Sequence, residues 1–294
     1  MTDPDTPSVA RAASATAERI ADPSGRMYHI GLAPGEVAPF VLLVGDPDRA
    51  ARVSERFDTV EITRSNREYV TYTGRYQGLA ISVMGTGMGA GNMEIAVVEL
   101  CQVVERPTLI RCGTSGSLQP QVDLGHLVVT SGAVRLENTS TAFVEPGFPA
   151  VAHHEVVSAL LWACADTGHP HHLGLTATAP GFYGAQERHV PGFAPRTEGR
   201  LDALAAQNVL NLEMEVSTLL CLAAYRGLRA GAVCGILANR PKDTFVSFDD
   251  KKTVEARAVD VALAAFVRLA RIDRLRGEAP FFHPGLCTQD APGR

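Results

Sequence analysis

The chain has 294 residues, 46% of them hydrophobic, and a formal net charge of -5. That length and apolar content suit one large buried core, and the acidic balance excludes a general nucleic-acid surface, which needs a basic excess to displace counterions from phosphates. Six cysteines (Cys101, Cys112, Cys164, Cys221, Cys234, Cys287) are scattered through apolar segments without a CxxC pair, which argues against a zinc site or a disulfide framework and suits a reducing cytoplasm. No run is long enough to span a membrane, so the expectation is a small-molecule target with neither nucleic acid nor membrane as partner.

In chain order, Met1 to Arg26 is rich in Ala, Ser, Thr, Pro and Asp and lacks the apolar core of a secretory signal, so residues 1–26 are expected to be a disordered tail. A β-rich run at Phe40–Val44 leads into GDPDR, Gly45 to Arg49. A second run at Leu79–Met84 leads into Gly85-Thr86-Gly87-Met88-Gly89-Ala90-Gly91, followed by helical periodicity from Asn92 to Val104. Thr108–Cys112 opens RCGTSG, Arg111 to Gly116. His126–Ser131 is the next expected strand, and Glu155–Thr167 the next helix. His172–Ala177 precedes FYGAQER at Phe182 to Arg188, and NLEME at Asn211 to Glu215 stands at the start of a helix expected from Glu215 to Arg226. Ala230–Leu237 and the helical pattern Thr253–Arg271 complete the chain before a Pro- and Gly-containing tail at 276–294. Alternating β and α runs predict one α/β domain over 27–275, with ligands at glycine turns after strand ends.

Arginine beside a glycine turn suits a small tetrahedral oxyanion, because the guanidinium donates two parallel hydrogen bonds and free backbone N–H groups add to them. GDPDR and RCGTSG therefore point to one shared anion site. The Gly85 to Gly91 stretch approximates the GxGxxG/A dinucleotide fingerprint, but strands and GDPDR precede it and no Rossmann half is built around it; a tight strand-to-helix turn lining another site is the better reading. In FYGAQER, Gln offers donor and acceptor and Arg only donors, so together they could read the edge of a planar heterocycle bearing carbonyls; a solvated turn is the alternative. The acids of NLEME could favour a helix N-terminus or accept two vicinal hydroxyls, and both readings stand at this point. His169, His171 and His172 read as a surface turn rather than a metal site. Cys112 reads as a buried core residue.

Taken together, YHIGL at Tyr28 to Leu32, GDPDR, NREY at Asn66 to Tyr69, GTGMG at Gly85 to Gly89, RCGTSG, FYGAQER, NLEME and ILANR at Ile236 to Arg240 resemble the nucleoside phosphorylase family, in its uridine phosphorylase branch. The resemblance covers Tyr28 to Leu269 in the family's order. It implies a central mixed β-sheet flanked by helices, and phosphorolysis of uridine or a related pyrimidine nucleoside to free base and ribose 1-phosphate. Gly45, Arg49, Arg111 and Thr114 would bind phosphate, with Arg67 supplied by a neighbouring subunit. His29, also from the neighbour, would meet the ribose 5′-hydroxyl, Glu215 the 2′- and 3′-hydroxyls, and Met214 the sugar face. Gln186 and Arg188 would bind the uracil edge, with Phe182 against the base and Arg240 ordering that subsite. The catalytic work would fall to Arg111, Gln186, Arg188 and Glu215. The family implies a dimer-based homo-oligomer, usually a hexamer, no cofactor beyond phosphate as co-substrate, and in some relatives a monovalent cation such as K+ near the positions of Glu68, Met88 and Asn92.

Purine-cleaving relatives carry an aspartate that protonates the base where this chain has Asn239, and an amide is no comparable acid. A purine phosphorylase or a hydrolytic nucleosidase on the same fold is the runner-up, and a non-catalytic nucleoside-binding protein a further alternative. Three departures stand out against the family pattern: Val216 for a small hydroxyl residue, Ala185 for a glycine, and Pro241 for a threonine. Ala185 is expected to alter the turn that aims Gln186, and Pro241 to stiffen a flap from Lys242 to Lys252 that closes over the base.

Overall fold

Glu18 and residues 20–288 are described by the computed structural model of the chain. Strand β1 (Phe40–Val44) runs into helix α1 (Pro47–Ser54), and a hairpin of β2 (Thr59–Asn66) and β3 (Tyr69–Tyr76) leads to β4 (Leu79–Gly85) and α2 (Ala90–Val103). Then come β5 (Thr108–Ser117), β6 (Leu127–Arg135), the short β7 (Ala150–Val151), α3 (His154–Thr167) and β8 (His171–Thr178). The chain finishes with α4 (Arg200–Ala206), β9 (Val209–Glu213), α5 (Val216–Tyr225), β10 (Ala230–Asn239), the short β11 (Thr244–Phe245) and α6 (Phe248–Arg276).

The sheet is mixed. β1 lies parallel between β4 and β5, while β2, β3 and β4 form an antiparallel meander at one end. β5 also pairs with β10, β10 with β6, β6 with β8, β8 with β9, and β9 returns to β5, so five strands close on themselves. The change of partner along β5 makes the cleft. β5 leaves β1 at Arg111, opposite Leu43, and meets β9 only at Gly116, opposite Leu212. Between those points its edge has no strand beside it on that side, and the ends of β1 and β4 open onto the same gap. Strand C-termini at such a splayed point are where open α/β sheets hold ligands.

Period-2 alternation explains the layers. Val41 and Leu43 of β1 enter a core with Met93, Ala96, Val97 and Leu100 of α2 and Leu219 and Leu220 of α5. Leu42 and Val44 turn the other way, against Ala50 and Val53 of α1, Leu160 of α3, and Ala262 and Phe266 of α6. Buried Ala258, Val261, Ala262, Ala265, Phe266, Leu269 and Ile272 recur at helical spacing along α6, giving it one long apolar stripe.

Several elements differ from the sequence expectation. β2, β3, β9, α1 and α4 have no counterpart in the expected runs, because β2 is mostly exposed and lacks apolar alternation, β3 buries threonines (Thr71, Thr73) rather than an apolar series, and the others are short. NLEME does not lie within the start of a helix: Asn211 to Glu213 end β9, and Glu215 is the N-cap of α5. His171 and His172 open β8 rather than a surface turn, and among the described residues no group of three or more His, Cys, Asp or Glu is placed to hold a metal ion. Much of the expected flap is regular structure: Thr244 and Phe245 pair with Asn239 and Ala238, and residues 248–252 already belong to α6. The end of the expected N-terminal tail is held in place, since Ala21 pairs with Met27 and Arg26 donates to Glu36 at 2.7 Å; residues 1–17 and 19 lie outside the described residues. At the other end α6 runs to Arg276, and a 3-10 turn follows at Pro284–Thr288.

Candidate active site

GDPDR turns a strand into a helix. The Asp46 carboxylate accepts from the Asp48 amide at 3.0 Å and Pro47 follows it, an N-cap followed by a residue whose missing N–H costs the helix nothing at that position. Arg49 is therefore not on the turn but in the first turn of α1, where its guanidinium is buried. Its Nη2 donates to Glu255 of α6 at 2.7 Å and its Nη1 to the Cys112 carbonyl at 3.3 Å. Gly85 is required opposite this helix, since a Cβ there would stand 2.8 Å from the Cα of Pro47.

Arg111, where β5 parts from β1, is buried between two carboxylates. Its Nε donates to Glu213 at 3.2 Å and its Nη2 to Glu215. Burial works against the charge, but Glu215 and Glu213 outweigh it and hold the guanidinium well above its ordinary pKa. Glu213 fixes the whole corner: it accepts from Thr178 Oγ1 at 2.6 Å and from the amides of Glu215 and Val216 at 2.8 and 2.9 Å. Burial pushes the Glu213 carboxyl up, Arg111 opposes that shift and Glu215 adds to it. The Glu215 carboxylate also accepts from the Gly89 amide, so the GTGMG turn is a wall of this cleft, as the sequence reading held against a dinucleotide site.

Besides Thr71 Oγ1, Arg135 Nη2 and Thr218 Oγ1, two buried donors have no hydrogen-bond partner among the described residues: Arg49 Nε and Arg111 Nη1. An unpaired buried N–H is costly, of order 1–3 kcal/mol, and both belong to arginines that line one cleft of about 490 Å³. Gly45, Thr114, Met214 and Glu215 line it too. An oxyanion between the two guanidiniums would satisfy both donors.

Phe182, Gln186 and Arg188 line the same cleft. Arg188 Nη1 donates to the Phe182 carbonyl at 2.9 Å and to Gln186 Oε1, and its guanidinium lies 3.9 Å from the Phe182 ring centroid. Burial first, then the charge of Arg240, pulls Arg188 down to about 10. The left-handed residue of this loop is Glu187 at φ 50, so Ala185 takes its place without needing a glycine. Glu187 in turn caps α4 by accepting from the Arg200 amide at 2.8 Å. Arg240 does not line the cleft; it lies in an adjoining cavity of about 380 Å³ and reaches the Glu187 carbonyl at 3.4 Å. Asn239 is fully buried, its Nδ2 donating to Val122 and Gln119 carbonyls and its Oδ1 accepting from the Lys242 amide.

His29 and Arg67 are also absent from the cleft lining. They stand together elsewhere on the chain: Asn66 Nδ2 holds the carbonyls of Tyr28 and His29 at 2.8 Å, and Arg67 Nη2 donates to the Tyr28 hydroxyl at 2.9 Å. Arg67 adopts φ 53, the left-handed region uncommon for a non-glycine residue, in the two-residue turn between β2 and β3. His29 Nδ1 meets the buried Glu99 carboxylate at 2.5 Å, and the same carboxylate accepts from the Ile30 amide at 2.8 Å. Glu68, Met88 and Asn92 gather around Gly87, where a Cβ would stand 2.4 Å from Asn92 Nδ2 and 3.2 Å from Glu68 Cγ.

Glu99, Glu213 and Glu255 were not singled out from sequence. An acid set in the apolar run from Ile95 to Cys101 is the signal that marks Glu99 in retrospect, whereas Glu255 lies among Lys251, Lys252 and Arg257 and carries no such signal. Glu213 carried the signal of a double acid, but it is as buried as Glu215, and only its bonds from Thr178 and the amides of Glu215 and Val216 separate its role.

Residues 39–271 match the phosphorylase superfamily. A uridine phosphorylase of Thermococcus kodakarensis is 40% identical over 278 residues, spanning 92% of this chain and 97% of the relative. The uridine phosphorylase of Escherichia coli is 36% identical over 248 residues, 83% of this chain and 98% of the relative. A guanosine phosphorylase of Halorubrum lacusprofundi is 34% identical over 212 residues, 72% and 83% of the two chains.

Proposed function

The chain belongs to the phosphorylase superfamily, in its uridine phosphorylase branch, and from that premise we propose that it cleaves the N-glycosidic bond of uridine with inorganic phosphate, giving uracil and ribose 1-phosphate. The observation that carries this reading is the pair of unpartnered buried donors, Arg49 Nε and Arg111 Nη1, on arginines that line one cleft together with Gln186 and Arg188.

The chemistry follows from charge. As the bond to the base breaks, the sugar gains positive charge and the base negative charge. Phosphate held by Arg49, Arg111, Thr114 and the Gly45 turn serves as nucleophile and as counter-charge to the sugar. Glu215 takes the ribose hydroxyls, with Met214 against the ring. Gln186 and Arg188 meet the negative charge on the uracil oxygens, and Phe182 carries the base while holding Arg188 in place. Positioning and electrostatics perform this reaction without a side-chain nucleophile. Asn239 has its amide committed to backbone partners and offers no acid for a purine.

The working form is proposed as a dimer-based homohexamer in the cytoplasm, with His29 and Arg67 completing the neighbour's site. Support comes from their absence from the lining of their own chain's cleft and from their clustering with Tyr28. Glu99 fixes the tautomer by taking the Nδ1 side, so that Nε2 is the atom offered to a 5′-hydroxyl. A monovalent cation such as K+ is proposed beside Gly87, where the Glu68 carboxylate side chain and the Asn92 amide come together next to Met88.

The test is release of base from uridine, with inosine and guanosine in parallel, with and without phosphate. Phosphate-dependent release from uridine is the expected result. Phosphate-independent release would mean a hydrolase, and purine release would overturn the part assigned to Asn239.

A further inference from the structure

The two arginines of the anion wall sit in opposite electrostatic settings. Arg111 stands between two carboxylates, Glu213 and Glu215, so its neighbourhood is net negative. Around Arg49 the balance differs. Buried Glu255 accepts from Arg49 at 2.7 Å and Arg52 at 2.8 Å and lies 3.7 Å from Lys251 Nζ, while Asp46 lies 3.7 Å from Arg52. Three cations face two carboxylates there, and Lys251 supplies the excess. Without it this wall would be neutral, and a phosphate dianion would meet no net positive charge on either side.

Lys251 also has the freedom to act. It is the fourth residue of α6, and it lines the same cleft as Gly45, Arg49 and Arg111. The helix start beneath it is fixed: Ser247 Oγ accepts from the Asp250 amide at 3.0 Å and donates to the Asp250 carboxylate at 2.6 Å. The side chain itself is 43% exposed, and its 3.7 Å contact with Glu255 is looser than either arginine's. A lysine so near a helix N-terminus opposes the helix dipole, and its i,i+4 contact with Glu255 along α6 is a loose one. An ammonium on a flexible stem is suited to follow an anion that two fixed guanidiniums already locate.

We propose that Lys251 is a phosphate-binding residue: its ammonium leaves Glu255 and joins Arg49 on the inorganic phosphate bound in the cleft. This rests on the phosphorolytic reading above. The test compares wild type with Lys251→Met, which keeps the stem and removes the charge, and Lys251→Arg, which keeps the charge. In Lys251→Met the KM for phosphate is expected to rise about tenfold, the loss of one charge-assisted contact, with the KM for uridine changed less than about twofold. Lys251→Arg is expected to stay within about threefold of wild type. Calorimetric titration with inorganic phosphate alone should show the same loss of affinity in Lys251→Met. Unchanged phosphate affinity overturns the proposal, and so does an equal rise in both KM values with a lowered Tm, which marks a structural role. If wild type shows no phosphate-dependent cleavage of uridine, the functional reading fails, while the titration still decides Lys251.

Discussion

The cleft has two walls, proposed to meet the anion and the base, built on different principles. On the anion wall, Arg111 meets Glu215 from 104 residues away in sequence and Arg49 meets Glu255 from 206 away. On the base wall, Arg188 binds Gln186 two residues away and Phe182 six away. The first is assembled by the sheet and buried, so its charges are coupled and costly to disturb. The second is a single loop that orients itself, anchored by Glu187 to the start of α4. Damage to the anion wall should therefore cost both fold and chemistry, whereas damage to the base wall should cost chemistry alone.

The sharpest break is Arg111→Ala. It leaves Glu213 and Glu215 buried without their cation, so stability should fall by about 3–5 kcal/mol and kcat/KM by about 10³-fold or more, read by denaturant melts and phosphorolysis. A stable Arg111→Ala enzyme with full activity would erase the distinction between the walls. Gln186→Ala should lose about 10²-fold in kcat/KM for uridine while its melt stays within about 0.5–1 kcal/mol of wild type.

The pH profile separates the walls without mutation. Arg188 is pulled down to about 10 by burial and by Arg240, so its charge is lost as pH rises through that value. Above it kcat/KM for uridine should fall about tenfold per pH unit, once ionisation of the substrate's imide is measured by ultraviolet titration and divided out. Arg111 is shifted the other way and keeps its charge through this range, so its own contribution to phosphate binding should persist. The smallest effect is Phe182→Ala, which removes the ring under Arg188 and should cost about 1 kcal/mol, some fivefold in KM for uridine.

Legibility in sequence followed the same division. FYGAQER could be read as one recognition loop because its members are neighbours in the chain. β1 and the cores of α3 and α5 were legible because their apolar spacing is regular, and β1 was placed at its observed bounds. β2 escaped because an exposed strand has no apolar alternation to read. Arg49 was assigned to the cleft on its motif, but its helical setting depends on the Asp46 cap and on Glu255, a partner no local pattern announces. Arg240 and Asn239 were read by motif alone, and their partners, the Glu187 carbonyl for Arg240 and the Val122 carbonyl for Asn239, are backbone groups that only tertiary packing supplies.

By itself the sequence determined the α/β alternation, the glycine turns after strands, and which arginines and amide could meet an anion and a base. Those properties reside in local spacing and side-chain chemistry. The tertiary structure alone decided which carboxylate neutralises which arginine and where β5 parts from β1 to open the cleft. It also decided that His29 and Arg67 stand outside the cleft of their own chain. Partners so distant in sequence are brought together by closure of the sheet, and the burial that follows turns an ordinary charge into a fixed one.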